Sequence, residues 1–159
     1  MRLPVENLLE EYQNSLYVAA FSICKNDHDE EDVVQYTFIK YISKNIDFDS
    51  KEHIKAWLLR VAINLAKNKM TTFFRRKVVP MEDYMLDIES PGEESNELFT
   101  AVMSLPQKYR IVIHLFYYED YSVKEIADIL KISPDNVKTR LTRGRKQLKE
   151  ILKEEWKDD

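Results

Sequence analysis

Between Asn136 and Lys149 the chain carries six basic residues and no acidic residue. Arginine and lysine at this density bind phosphate, because each one neutralises a backbone charge of a nucleic acid and releases a counterion. The net charge of the whole chain is −4, so the basic residues are concentrated in particular segments. The segment therefore predicts a nucleic-acid contact, and a solvated basic helix is the alternative.

The basic run belongs to the second of two predicted helices. Ser122 and Glu125 have the S-x-x-E spacing of a capping box, which predicts that a helix begins after Ser122. Ser133 and Pro134 predict the start of the next helix, because a serine caps the first turn and a proline is tolerated there. The intervening residues 131–133 have the length of the turn in a helix-turn-helix motif.

The second helix has an apolar stripe and a polar face. Apolar or small side chains recur at i, i+4, i+7 and i+11, and we expect them to pack on the first helix: Val137, Leu141, Gly144 and Leu148. A helix in the major groove needs polar side chains for the base edges and basic ones for the backbone. The candidates on the outer face and its flanks are Lys138, Thr139, Arg140, Thr142, Arg143, Arg145 and Lys146.

The composition predicts an all-α protein with two small helical domains. Only two residues are glycine, which disfavours a turn-rich β architecture, and a charged fraction of 33% suits helices. Residues 78–95 combine acids with proline, glycine and serine, which predicts a flexible acidic linker. The predicted domains are residues 1–77 and 96–159.

Helices are predicted at about 6–25, 29–44 and 54–74 in the first domain, and at about 96–104 and 106–119 before the helix-turn-helix. The third helix carries an aromatic ring together with amide and basic groups on one side: Trp57, Arg60, Asn64, Lys67 and Asn68. Such a set suits unstacked bases of a single strand. The alternative is that Trp57 belongs to the core and the polar residues form a solvated face.

Catalytic chemistry has little support in the sequence. The three histidines lack the spacing of metal ligands, and the pair Cys24 and His28 supplies too few ligands for a site. No arrangement of nucleophile and base is recognisable, so we expect neither catalysis nor a cofactor. A single cysteine, no apolar run near 18 residues and no signal peptide predict a cytoplasmic protein.

Three segments, in this order, resemble bacterial RNA polymerase sigma factors of the extracytoplasmic-function group. Residues 29–41, DEEDVVQYTFIKY, are similar to the family's core-binding signature, D-x-E-D-[LV]-[VT]-Q-E-x-F. Residues 57–68, WLLRVAINLAKN, resemble the helix that melts and reads the minus-ten promoter element. Residues 105–152, which include the helix-turn-helix, resemble the module that reads the minus-thirty-five element.

The resemblance implies a role for each group of residues. Contacts with core polymerase would involve Asp32, Val33, Gln35 and Phe38, with support of the same helix from the core as the alternative for Phe38. Contacts with the opened non-template strand would involve Trp57, Arg60, Asn64, Lys67 and Asn68. The loop 48–54 would help to hold a flipped base, and the candidates on the second helix of the helix-turn-helix would contact the minus-thirty-five duplex.

The resemblance also implies the partners. These are core RNA polymerase, promoter DNA and an anti-sigma factor, which is often membrane-linked. A small-molecule substrate is not expected. The function expected is promoter-specific initiation in an envelope or stress response. The alternatives are a stand-alone helix-turn-helix regulator, which would need a symmetric dimer to read paired half-sites, and a small enzyme.

Four positions depart from the family pattern. Tyr36 stands where a glutamate is usual, Ile54 where an aromatic residue is common, and Asn68 where an aspartate is common. Lys131 replaces a frequent glycine in the turn of the helix-turn-helix, where a left-handed lysine would cost about 1 kcal/mol.

Overall fold

The computed structural model describes residues 1–24, 27–76 and 93–157, and every regular element within them is helical. The helices are α1 (Val5–Cys24), α2 (Asp27–Ser43), α3 (Lys51–Arg76), α4 (Glu93–Met103), α5 (Gln107–Ile113), a π-helical turn (His114–Tyr118), α6 (Val123–Leu130) and α7 (Pro134–Lys157). The predicted all-α class is confirmed. Helices α1–α3 form one compact unit, and the helices from α4 onwards form a second.

In the N-terminal unit each of the three helices packs on the other two. The fully buried large side chains on α1 and α3 recur at helical spacing: Leu8, Leu16, Ile23, Ile54, Leu58, Leu59 and Ile63. Cys24 lies in the core of this unit, since its side chain is 1% exposed. Burial raises the pKa of the Cys24 thiol to about 12, so the thiol is protonated and unreactive at neutral pH.

The start of α3 is fixed by a serine cap. The Ser50 hydroxyl accepts a hydrogen bond from the His53 N–H at 3.1 Å, and the His53 ring accepts one from the Asp49 N–H at 3.1 Å. This cap lets α3 begin at Lys51, earlier than the predicted residue 54, because the first backbone N–H groups of a helix need partners. The loop predicted over 48–54 is therefore corrected: residues 51–54 are helical, and the loop between α2 and α3 spans 44–50.

Residues 77–92, which make up most of the predicted acidic linker, lie outside the described residues. Helix α4 begins at Glu93, so the last residues of the segment predicted as linker are helical. The domain boundaries at 77 and 96 stay a prediction.

In the C-terminal unit the predicted caps are confirmed. The Ser122 hydroxyl accepts from the Glu125 N–H at 3.1 Å, and the Glu125 carboxylate accepts from the Ser122 N–H at 3.0 Å. The Ser133 hydroxyl accepts from the Asn136 N–H at 3.1 Å and so caps α7. Lys131, which replaces a frequent glycine of this turn, ends α6 in the left-handed conformation, with φ 57° and ψ 47°.

The turn from α4 into α5 is held by a buried arginine. Arg110 is 5% exposed and donates to the Leu105 carbonyl at 2.8 Å and to the Met103 carbonyl at 3.4 Å. Burial lowers the pKa of Arg110 to about 10, which still leaves the guanidinium charged at neutral pH. The helix predicted over 106–119 is regular only to Ile113 and then widens into the π-helical turn.

None of the helices in the described parts of the chain has the length and apolar character needed to span a membrane.

Candidate nucleic-acid interface

Helix α7 presents its predicted outer face to solvent. Val137 is 0% and Leu141 2% exposed, so these two residues fix which side of the helix is buried. The exposed residues opposite them are Lys138, Thr139, Thr142, Arg143 and Lys146, and Arg140 is half-buried at the edge. A stretch of about three turns therefore offers hydroxyl and cationic groups of different lengths on one surface.

Two of these side chains are oriented by bonds along the helix. The Arg140 Nε donates to the Asn136 side-chain oxygen at 3.1 Å, one turn earlier. The Thr139 hydroxyl donates to the Asp135 carbonyl at 3.0 Å, which leaves its oxygen available as an acceptor.

Arg145 lies in a different environment from the other basic residues. Its Nε donates to the Tyr117 hydroxyl at 2.6 Å, and its guanidinium lies 5.4 Å from the centroids of the Phe116 and Tyr117 rings. This contact with the π-helical turn orients the side chain and leaves its remaining N–H groups free to donate elsewhere.

The apolar stripe of α7 changes its partner along the helix, which corrects the prediction that the whole stripe packs on the first helix of the motif. A Cβ added at Gly144 would lie 2.8 Å from Ile113 Cδ1 and 3.2 Å from Tyr109 Cβ, both on α5. The absence of a side chain at Gly144 therefore brings α7 close to α5.

On α2 the four predicted polymerase-binding residues divide into two pairs. Asp32 and Gln35 are exposed, whereas Val33 is 0% and Phe38 4% exposed. The Asp32 carboxylate accepts from Lys69 of α3 at 3.0 Å. Asp32 and Gln35 are therefore at the surface, and Val33 and Phe38 hold α2 against the core.

On α3 the predicted strand-binding residues share one side but differ in exposure. Asn64 and Asn68 are exposed, and Trp57, Arg60 and Lys67 are half-buried. The Trp57 ring meets the edges of Tyr41 and Phe48 at centroid distances of 6.3 Å and 5.7 Å. The Trp57 ring is packed in an aromatic cluster and is also partly exposed, so its contact with a single strand stays a prediction.

Sequence reasoning missed several exposed apolar side chains. On α2, Tyr36, Ile39 and Ile42 are 55%, 55% and 60% exposed. Their signal was present, because they lie at helical positions opposite the buried Val34, Phe38 and Tyr41. An apolar stripe on both sides of a helix indicates a second packing surface.

A second missed surface is an apolar groove of about 630 Å³ in the C-terminal unit. Its floor and walls come from α4, α5, the π-helical turn and the C-terminal half of α7. The apolar and aromatic lining residues are Leu98, Val102, Ile113, Tyr117, Tyr118, Leu148 and Leu152. Arg145, Lys149 and Lys153 form a basic rim.

Comparison with known families matches both units. The family description "Sigma-70 region 2" matches residues 8–77, and "Sigma-70, region 4" matches residues 95–148. The first range holds α1–α3, and the second holds the helix-turn-helix and most of α7.

Among individual relatives, the chain is 33% identical to the ECF RNA polymerase sigma factor SigW of Bacillus subtilis, over 93% of this chain and 88% of SigW. The chain therefore belongs to the extracytoplasmic-function (ECF) group of the sigma-70 family of RNA polymerase sigma factors. Members of this family are transcription initiation factors.

Solved structures support the same fold. A chain in the co-crystal structure of the sigma factor RpoE with the anti-sigma factor NepR from Bartonella quintana has a TM-score of 0.76 and 24% identity, over 93% of this chain and 96% of that one. A chain in the structure of CnrH with the cytosolic domain of CnrY has a TM-score of 0.67 and 24% identity, over 94% and 87%.

Proposed function

We propose that the two units of this sigma factor bind two elements of the same promoter. The C-terminal unit binds the minus-thirty-five duplex through α7, and the N-terminal unit binds the opened minus-ten strand through α3 while α2 contacts core polymerase. The observation that carries this proposal is the exposed face of α7, where Lys138, Arg143 and Lys146 project opposite the buried Val137 and Leu141.

The outer face of α7 suits a major groove. Arginine and lysine donate to guanine, and threonine contacts bases or phosphate according to its rotamer. The helix is capped by Ser133 and joined to α6 by a fixed left-handed residue, Lys131. The two helices therefore meet DNA as a preformed pair.

Promoter opening in this account needs no bond chemistry. The chain favours melted DNA by binding the single strand on α3 more tightly than it binds the duplex there, so binding energy offsets the cost of unpairing. We propose accordingly that the protein is not an enzyme, uses no cofactor, and acts in the cytoplasm, where polymerase and chromosome are found.

The direct test is run-off transcription with purified core RNA polymerase on a library of randomised upstream DNA. We expect the protein to bind core and to enrich one two-part sequence among the transcribed templates. If the protein leaves initiation by core unchanged, the proposal is wrong. Tight site-specific binding without core would instead favour a stand-alone helix-turn-helix regulator.

An anti-sigma factor is the second proposed partner, because one similar solved chain, the sigma factor RpoE, was crystallised with the anti-sigma factor NepR. We propose the groove of the C-terminal unit as the site that contacts the anti-sigma factor. Its apolar floor and basic rim complement an amphipathic helix with acidic flanks. Such a partner would compete with polymerase, and attachment of that partner to the membrane would couple release to an envelope or stress signal.

A photo-activated cross-linking residue in place of Val102, in the groove wall, tests this contact in cells. We expect it to capture a protein that, once purified, abolishes run-off transcription from the selected promoter. Capture of polymerase subunits alone, or of a protein that leaves transcription unchanged, would contradict the assignment.

A further inference from the structure

The first residues of the chain lie against the loop 44–50 that joins α2 to α3. The Phe48 N–H donates to the Met1 carbonyl at 3.1 Å, and the Met1 nitrogen donates to the Phe48 carbonyl at 2.8 Å. This reciprocal pair resembles one rung of a β-bridge. It fixes the backbone of the loop at Phe48, whose side chain is 2% exposed.

Arg2 makes a second set of hydrogen bonds, to the end of α2 and to the same loop. Its guanidinium donates to the carbonyls of Tyr41 at 2.5 Å and of Ile46 at 3.4 Å, and it lies 4.5 Å from the centroid of the Tyr41 ring. The last carbonyls of a helix have no partner within the helix, so a cation at this end of α2 is favourable. Arg2 thus joins the end of α2 to the start of the loop.

Tyr41 connects this segment to the aromatic cluster on α3. Its hydroxyl accepts from the Leu3 N–H at 3.1 Å and donates to the Leu3 carbonyl at 2.6 Å. Its ring stacks on Phe48 at 5.8 Å and meets Trp57 at 6.3 Å. A chain of direct contacts therefore runs from residues 1–3 to Trp57.

We propose that residues 1–3 form an N-terminal clasp that holds the loop 44–50 in the shape needed for the opened minus-ten strand, with Arg2 and Tyr41 as positioning residues. The proposal rests on the function assigned to α3 above. Ordering a free loop costs conformational entropy, and a clasp that orders the loop beforehand removes part of this cost from DNA binding.

Two variants of the full chain test the clasp from different sides. Arg2→Ala removes the guanidinium, and Tyr41→Phe removes the hydroxyl that holds Leu3 without changing the charge. Arg2→Lys keeps the cation and serves as the conservative variant. Lys44→Ala is the matched control, because it removes an exposed cation from the same loop.

The first measurement is hydrogen exchange of the Phe48 amide in the free protein. We expect exchange about tenfold faster in Arg2→Ala and Tyr41→Phe, since loss of one hydrogen bond of this kind corresponds to roughly tenfold in an equilibrium. Arg2→Lys should lie between these variants and wild type, and Lys44→Ala should match wild type. Unchanged exchange in both variants would overturn the clasp.

The second measurement is promoter opening by holoenzyme, followed with 2-aminopurine in the melted segment of a promoter selected by the wild-type protein. Affinity for core should be unchanged, and opening should be about three- to tenfold slower in both variants. Normal opening despite faster exchange would overturn the proposal. Slow opening in Arg2→Ala alone would assign Arg2 a direct phosphate contact instead. If wild-type protein itself fails to open DNA, the function assigned to α3 is wrong.

Discussion

The two proposed DNA-binding faces are built in different ways. The face on α7 belongs to one helix, and the regular backbone alone sets the spacing of Lys138, Thr142 and Lys146. The face around Trp57 needs four stretches of chain: residues 1–3, the end of α2, the loop 44–50 and α3. A duplex groove accepts a regular helix, whereas an unpaired base needs a shaped surface. The C-terminal face therefore depends on the exposed surface of one helix (the displayed face), and the N-terminal face depends on contacts between separate stretches of chain (the assembled face).

The largest effect should come from breaking the assembled unit at its core. Phe38→Ala removes a buried ring from α2, and we expect a loss of about 3–5 kcal/mol in the free energy of unfolding of the N-terminal unit. Core binding and promoter opening should be lost with it. The measurement is thermal unfolding together with affinity for core polymerase.

Gln35→Ala is the matched surface variant on the same helix. Its side chain is exposed, so stability should change by less than about 0.5 kcal/mol. Affinity for core should nevertheless fall by about tenfold if α2 is the polymerase contact. Wild-type affinity for core in this variant would remove Gln35 from the interface.

The next largest effect should come from the displayed face. Arg143→Ala should weaken holoenzyme binding to the minus-thirty-five duplex by about 1–3 kcal/mol, because a bidentate arginine contact with a base carries that much discrimination. Binding to core and protein stability should not change. Titration of labelled promoter duplex gives the affinity.

Lys149→Ala serves as the control for Arg143→Ala. It removes the same charge from the same helix, but at the rim of the groove. Lys149→Ala should lower the affinity for every DNA sequence slightly and by the same factor. Equal and sequence-independent losses in both variants would show that α7 binds phosphate without reading bases.

A smaller effect is expected from the contact between α7 and α5. In Gly144→Ala the new methyl group meets Ile113 and the less movable Tyr109 Cβ. Overpacking costs about 1–3 kcal/mol, and the higher helix propensity of alanine offsets up to about 1 kcal/mol of this cost. We expect a net loss of about 1 kcal/mol in the stability of the C-terminal unit by chemical denaturation. A gain in stability would mean that the two helices do not approach closely.

An effect of similar size but opposite sign, a gain in stability, is expected at the turn of the helix-turn-helix. Lys131 has φ 57°, so Lys131→Gly should raise stability by about 1 kcal/mol without altering DNA affinity. Lys131→Ala keeps the Cβ and should give no such gain. If both variants behave alike under denaturant, the left-handed backbone carries no cost.

The displayed face could be predicted from the sequence because its signals are local. The capping residues Ser122 and Ser133 lie within three residues of the groups they bind. Helical spacing then determines that Val137 and Leu141 are buried and that Arg143 is outward. Spacing alone does not say which helix covers a stripe, so the contact of Gly144 with α5 was missed.

The assembled face could be predicted only in part. Trp57 and its polar neighbours follow from spacing on α3, but the contacts of Arg2 and Leu3 with Tyr41 span nearly forty residues of sequence. No local pattern encodes such a contact. The exposed Ile39 and Ile42 had a periodic signal, but a stripe on the outer side of a helix indicates a partner surface only once the inner side is known.

The central claim is that the two units hold different states of the same promoter. It is tested most directly by separating closed-complex affinity from the rate of strand opening in Arg143→Ala and Asn64→Ala holoenzymes, with wild type as reference. Arg143→Ala should lower duplex affinity by about tenfold and leave the opening rate unchanged, while Asn64→Ala should slow opening and leave duplex affinity unchanged. If both substitutions change the same step, the division of work between α7 and α3 is wrong.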